Sequence, residues 1–136
     1  RVPAPAFRVD SLDGAGELAL ADYEGSPLVL NFWASWCEPC QREMPALVEF
    51  ADATPGVRVV GLAVTDEPSA SRDFARDYGV DFDLGVDRRG DTAATFGVTG
   101  LPATVFLDEE GRVAQTAFGE LTPQQLDDYA EKLGAG

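Results

Sequence analysis

Apolar positions along the chain fall into short runs whose period changes several times. The stretch Leu28-Val29-Leu30-Asn31-Phe32-Trp33 is interrupted only by Asn31. Both of its alternating faces are therefore apolar, as in a central strand covered by helices on either side. Residues 57–64 form a second such run, rich in β-branched side chains, and predict another buried strand. Between the two, Met44, Leu47, Val48 and Ala51 recur at i, i+3, i+4 and i+7. That spacing predicts a helix opened by Pro39 and kinked at Pro45, which lacks the N–H that bonds one turn back.

Further along, residues 69–78 predict a helix closed by Gly79, residues 83–86 a short strand, and residues 91–96 a short helix. Residues 104–107 and Arg112–Phe118 flank a turn at 108–111 and read as a hairpin. Residues 7–9 and 17–20 predict an earlier strand pair around Asp13-Gly14-Ala15-Gly16. In the final helix Thr122 is placed to cap, Pro123 to fill the first turn and Gln125 to complete a Thr-x-x-Gln capping box. Leu121 and Leu126 can staple its start, and Leu126, Tyr129, Ala130 and Leu133 form its apolar stripe. Only Val2-Pro3-Ala4-Pro5 and Gly134-Ala135-Gly136 look loose. Strands alternating with helices, ending in a hairpin and a helix, predict an α/β sandwich with a mixed sheet, in one domain spanning residues 1–136.

Charge narrows the partners. Ten basic against 24 acidic residues leave a net charge of −14 with no histidine, which repels phosphate backbones and anionic lipid surfaces. Neither nucleic acid nor a membrane surface is an expected partner. No run approaches the roughly 18 consecutive apolar residues that span a bilayer, so this fragment is not expected to insert. The chain begins at Arg1 without a methionine; a processed piece is expected, with any signal peptide or anchor upstream.

Two cysteines, Cys37 and Cys40, carry the most information. A structural zinc site takes about four Cys or His ligands and this chain offers two, so no metal is expected. Cysteines three apart close too small a loop to staple a fold. They lie where the first buried strand ends and its helix begins, within reach of the disulfide Cα separation of roughly 5–6 Å. The free N–H groups of that helix start favour a thiolate at Cys37. Cys37, at an exposed corner, is thus the candidate attacker, and Cys40, one turn further in, the resolving thiol.

The residues Phe32-Trp33-Ala34-Ser35-Trp36-Cys37-Glu38-Pro39-Cys40 resemble the signature of the thioredoxin superfamily. The continuation Gln41-Arg42-Glu43-Met44-Pro45 is similar to that of the TlpA/ResA-like extracytoplasmic thiol-disulfide oxidoreductases. The stretch from Gly97 through Leu101-Pro102 to Asp108 resembles that family's cis-proline segment and following strand. The resemblance implies a thioredoxin-like sandwich whose central mixed β-sheet is flanked by helices, with an N-terminal β-hairpin extension. It implies a secreted or membrane-tethered domain outside the cytoplasm, in a family whose members commonly reduce disulfides of exported clients, for example in cytochrome c maturation, while others are thiol oxidants. A disulfide- or dithiol-bearing client protein and a membrane dithiol electron donor are the implied partners. No cofactor is called for, and a monomer is expected.

On the same resemblance Pro102 is the cis-proline, leaving the Leu101 backbone free to pair with an extended client. Glu43, three residues after Cys40, matches a glutamate placed near the family's active site. A half-buried carboxylate there has a raised pKa and can move protons for Cys40. Asn31 stands where ordinary thioredoxins carry a buried aspartate, and reads as an amide bonded to neighbouring groups. Trp36, Glu38 and Pro39 form the rim that meets the client, whereas Trp33 reads as core. Glu38 and the overall negative charge disfavour a thiolate, which lowers the potential and favours a reductase.

Three alternatives carry weaker support. A net oxidant of exported thiols is opposed by Glu38. A redox-switched binding or copper-assembly module lacks any Met-rich or His-rich stretch. A peroxidase of the Pro-x-x-x-Thr-x-x-Cys type would need proline and threonine where this chain has Leu30 and Ala34.

Overall fold

The computed structural model describes residues Arg1–Ala135. Its frame is an eight-stranded mixed sheet in the order β1-β8-β7-β4-β5-β6-β2-β3. At the centre are β4 (Leu28–Trp33), β5 (Arg58–Val64) and β6 (Asp83–Asp87), which run parallel. On the other side of β4 come β7 (Ala103–Leu107) and β8 (Arg112–Phe118), each antiparallel to its neighbour. The hairpin of β2 (Arg8–Ser11) and β3 (Glu17–Ala19) joins antiparallel to β6, as the N-terminal extension anticipated.

Every residue of β4 is buried, and its side chains alternate between two apolar clusters. Val29 and Trp33 face one cluster together with Met44, Leu47 and Phe50 of α1 (Glu38–Ala53), Phe74 of α2 (Pro68–Asp77) and Leu126 of α4 (Pro123–Ala130). Leu28, Leu30 and Phe32 face the other, with Ala93 of α3 (Asp91–Thr95), Val9 of β2 and Phe7 just before it. Continuous apolarity in β4 is thus a two-sided burial, the reason its pattern does not alternate. Trp33 is fully buried and packs at a tilt against Phe74, which stacks on Tyr78.

Three details depart from the sequence reading. Val2–Pro3 is not loose but forms β1, pairing with Val113 and Arg112 at the sheet edge. A proline is tolerated there because one edge of an outer strand needs no N–H. Helix α1 carries Pro45 inside it, on its solvent face, where water can serve the carbonyl left without its intrahelical donor. A 3-10 turn at Leu20–Tyr23 follows β3, carrying Tyr23 into the core; its start is stapled by the Asp22 carboxylate accepting from the Ala19 N–H. The end of the chain is not loose either: Glu131–Ala135 form a terminal turn after α4 in which Gly134 takes a positive φ of 77°, while Gly136 lies outside the described residues.

Candidate active site

Parallel β4 and β5 end side by side, and β4 leaves the sheet through Ala34-Ser35-Trp36 into α1. Cys37 occupies the N-cap of α1 in an extended conformation, and its sulfur accepts from the Cys40 N–H at 3.2 Å. Cys37 and Cys40 are joined as a disulfide, with Cα atoms 5.2 Å apart. Both sit within the cluster that contains Trp33 and Met44, Cys37 being 5% exposed and Cys40 1%. The attacking position is therefore less exposed than a strand-to-helix corner suggests, because the bond to Cys40 holds its sulfur against the core in this oxidised state.

Glu43 is likewise more deeply placed than anticipated, at 3% exposure. Its Oε1 accepts from Asn31 Nδ2 at 3.0 Å and its Oε2 from the Leu121 N–H at 2.6 Å. Burial pushes the carboxyl above the ordinary glutamate value; the Leu121 and Asn31 donors pull it down, and the negative Glu120 adds to the rise. Asn31 is the buried amide the sequence suggested, and its Nδ2 also donates to Thr104 Oγ1 at 3.1 Å. Its Oδ1 has no partner among the described residues. Glu43 shares its helix face with Cys40, yet both its oxygens are held by Asn31 and Leu121 and by neither cysteine.

The Leu101–Pro102 peptide is cis. Pro102 is buried, its carbonyl accepts from the Gly119 N–H at 2.9 Å, and Leu101 packs against the cluster that holds the cysteines. On the rim, Trp36 is 59% exposed and its indole donates to the Thr65 carbonyl. Pro39 lies half-buried in the first turn of α1. Glu38 is exposed and pairs with Arg42 at 2.9 Å, and Arg42 also pairs with Glu120 at 2.7 Å. Glu38 is thus partly offset, but Glu38 and Glu120 against the single Arg42 leave the rim negative.

Sequence reasoning assigned no site role to Arg42, Glu120 or Leu121, nor to the Thr65–Asp66 corner that touches Ser35 and Trp36. The corner had a signal: in open α/β sheets the residues just past the carboxyl ends of adjacent parallel strands converge on the site. Glu120 and Leu121 had none, since nothing local ties the loop after β8 to α1. Among the described residues no group of three or more His, Cys, Asp or Glu side chains is arranged to hold a metal ion. Among those residues no helix is long and apolar enough to cross a membrane.

Comparison with known proteins places this geometry. Residues 1–116 match the AhpC/TSA family. The chain is 35% identical over 132 residues to the thiol-disulfide oxidoreductase ResA of Bacillus thuringiensis subsp. konkukian, covering 96% of this chain and 76% of that protein. Among solved structures, MTB DsbF superposes with a TM-score of 0.90 at 36% identity, covering 98% of this chain and 99% of that one. A secreted Mycobacterium tuberculosis disulfide oxidoreductase, homologous to E. coli DsbE, superposes with a TM-score of 0.85 at 29% identity, over 93% and 95% of the two chains.

Proposed function

The chain belongs to the AhpC/TSA family and is a thiol-disulfide oxidoreductase of thioredoxin-like fold, and from that premise we propose that it reduces disulfides of exported client proteins. The observation that carries the reading is the Cys37–Cys40 pair at the N-terminus of α1 in a negatively charged setting. Negative charge near the pair disfavours the thiolate of the reduced form, and a less stabilised reduced form is a better reductant. An extracytoplasmic location is supported by the secreted relative.

In the proposed cycle the Cys37 thiolate attacks a client disulfide. One client sulfur becomes bonded to Cys37 and the other leaves as a thiolate, which takes up a proton. Cys40 then loses its proton and attacks the Cys37 sulfur, releasing the second client thiolate and forming the Cys37–Cys40 disulfide of this structure. Two electrons have passed to the client; an external dithiol, such as that of a membrane donor, restores the pair. Glu43, buried on the Cys40 face of α1 with its pKa raised, is the proposed proton acceptor for Cys40. Leu101 and Pro102, with Trp36, Glu38 and Pro39 on the rim, form the proposed client contact.

The reduction potential of the pair, read by equilibration with glutathione or dithiothreitol buffers, tests the direction. Disulfide catalysts run from about −270 mV for thioredoxin to about −120 mV for a strong oxidant. A value near or below about −220 mV supports a reductase, and one above about −150 mV overturns it. Cys40→Ala blocks resolution, so client proteins should accumulate as mixed disulfides on Cys37.

A further inference from the structure

Ser35, two residues before the attacking cysteine, is held on every polar group it has. Its N–H donates to Asp66 Oδ2 at 2.9 Å, its hydroxyl to Asp66 Oδ1 at 2.8 Å, and its carbonyl accepts from Gln41 Nε2 at 3.1 Å. Asp66 in turn is anchored from α2, where the buried Ser71 hydroxyl donates to Oδ2 at 2.6 Å. The neighbouring residue completes the clasp: the Trp36 indole donates to the Thr65 carbonyl at 3.2 Å. Thr65 is the one non-glycine residue among those described with a positive φ, at 45°. A β-branched residue keeps that conformation only where its surroundings hold it. Here its N–H is tied to the Asp87 carbonyl at 3.0 Å and its own carbonyl to Trp36.

We propose that Asp66 is a positioning residue that sets how readily Cys37 and Cys40 close into their disulfide. The proposal rests on the reading of that pair as the redox couple. Ring closure between two thiols of one chain is governed by the effective concentration of one sulfur at the other. Cys40 is fixed within α1, but Cys37 is the N-cap, and the loop that precedes it sets its backbone. Once the S–S bond is open, Cys37 keeps its own N–H bond to the Ala34 carbonyl and the fastening of Ser35 and Trp36 to the Thr65–Asp66 corner. Releasing that corner gives Cys37 more freedom in the dithiol than in the disulfide. The disulfide then forms less favourably and the mixed disulfide resolves more slowly. Two thiols still lose two electrons and two protons to the oxidant; only the equilibrium and the closing rate change.

The test equilibrates the full chain and its variants with reduced and oxidised glutathione, and separately times the release of glutathione from a Cys37 mixed disulfide. Asp66→Ala should lower the disulfide formation constant about tenfold, a potential about 30 mV less negative, and slow glutathione release by a similar factor. Asp66→Asn discriminates latch from charge. With its carbonyl at the Oδ2 position it can accept from both the Ser35 N–H and the Ser71 hydroxyl, and its amide, at the Oδ1 position, can donate to the Ser35 hydroxyl oxygen. It should therefore stay within about twofold of wild type although the charge is gone. Tyr23→Phe, which loses a hydrogen bond to Asp83 away from the site, should lower stability without moving the constant. An Asp66→Ala constant within twofold of wild type overturns the proposal, as does an Asp66→Asn that matches Asp66→Ala. Should Asp66→Ala not fold, Ser35→Ala carries the test with about a threefold shift in the same direction, and no shift overturns the latch. A wild-type protein that forms no intramolecular disulfide in these buffers would instead overturn the redox reading itself.

Discussion

Replacing Asn31 by aspartate would put a second carboxylate where the amide now donates to Glu43 at 3.0 Å. Both side chains are nearly inaccessible, Asn31 at 1% and Glu43 at 3%, so water cannot separate the charges. Allowing the pair to relax to about 4 Å, two unit charges at an effective dielectric near 20 repel by about 4 kcal/mol. One proton should therefore stay on the pair well above the ordinary carboxylate range. Shared between the two carboxyls, it would replace the lost Asn31 hydrogen bond, leaving the variant least impaired in acid. The sign follows from the raised folded pKa: the stabilisation is fully present below the unfolded values of about 4 and is lost as pH rises through the folded value. Urea unfolding of wild type and Asn31→Asp from pH 4.5 to 8 should show a stability gap widening with pH by up to about 4 kcal/mol. Glu43 alone, with its pKa raised by burial, gives wild type a shallower slope of the same sign. A gap constant to about 0.5 kcal/mol across that range would show that position 31 does not face Glu43 as a shared buried site.

Two further substitutions probe the frame that holds the site. Leu47→Ala removes a fully buried side chain from the cluster containing both cysteines, and should cost about 2–5 kcal/mol by urea unfolding. A loss below about 1 kcal/mol would mean the cluster closes over the cavity. Thr122→Ala breaks the α4 capping box, in which Thr122 Oγ1 accepts from the Gln125 N–H and Gln125 Oε1 from the Thr122 N–H. It should cost about 1 kcal/mol, and an unchanged denaturation midpoint would show that the cap contributes nothing to holding α4 against α1.

How far the site was readable depends on distance along the chain. Cys37, Pro39 and Cys40 lie within one helical turn, so their spacing and the strand before them define the redox corner without any other part of the molecule. The α4 capping box was equally legible, because its two hydrogen bonds span three residues. Glu43 was legible as a residue on the face of Cys40, but its depth was not. That depth comes from Leu121, 78 positions away, whose N–H reaches the carboxylate. Val2–Pro3 escaped notice because two residues carry no period, and only the exposed edge of β8 makes them a strand.

Local order, then, belongs to the sequence itself: the period of apolar residues selects helix or strand, prolines and caps set helix starts, and three-residue spacing pairs the cysteines. What surrounds that pair was decided by the tertiary structure alone. Asp66 meets Ser35 across 31 positions because β4 and β5 run parallel and end together, and Glu43 is dry because the loop after β8 closes over α1. Such contacts follow from sheet order and helix packing, and no local pattern encodes either one.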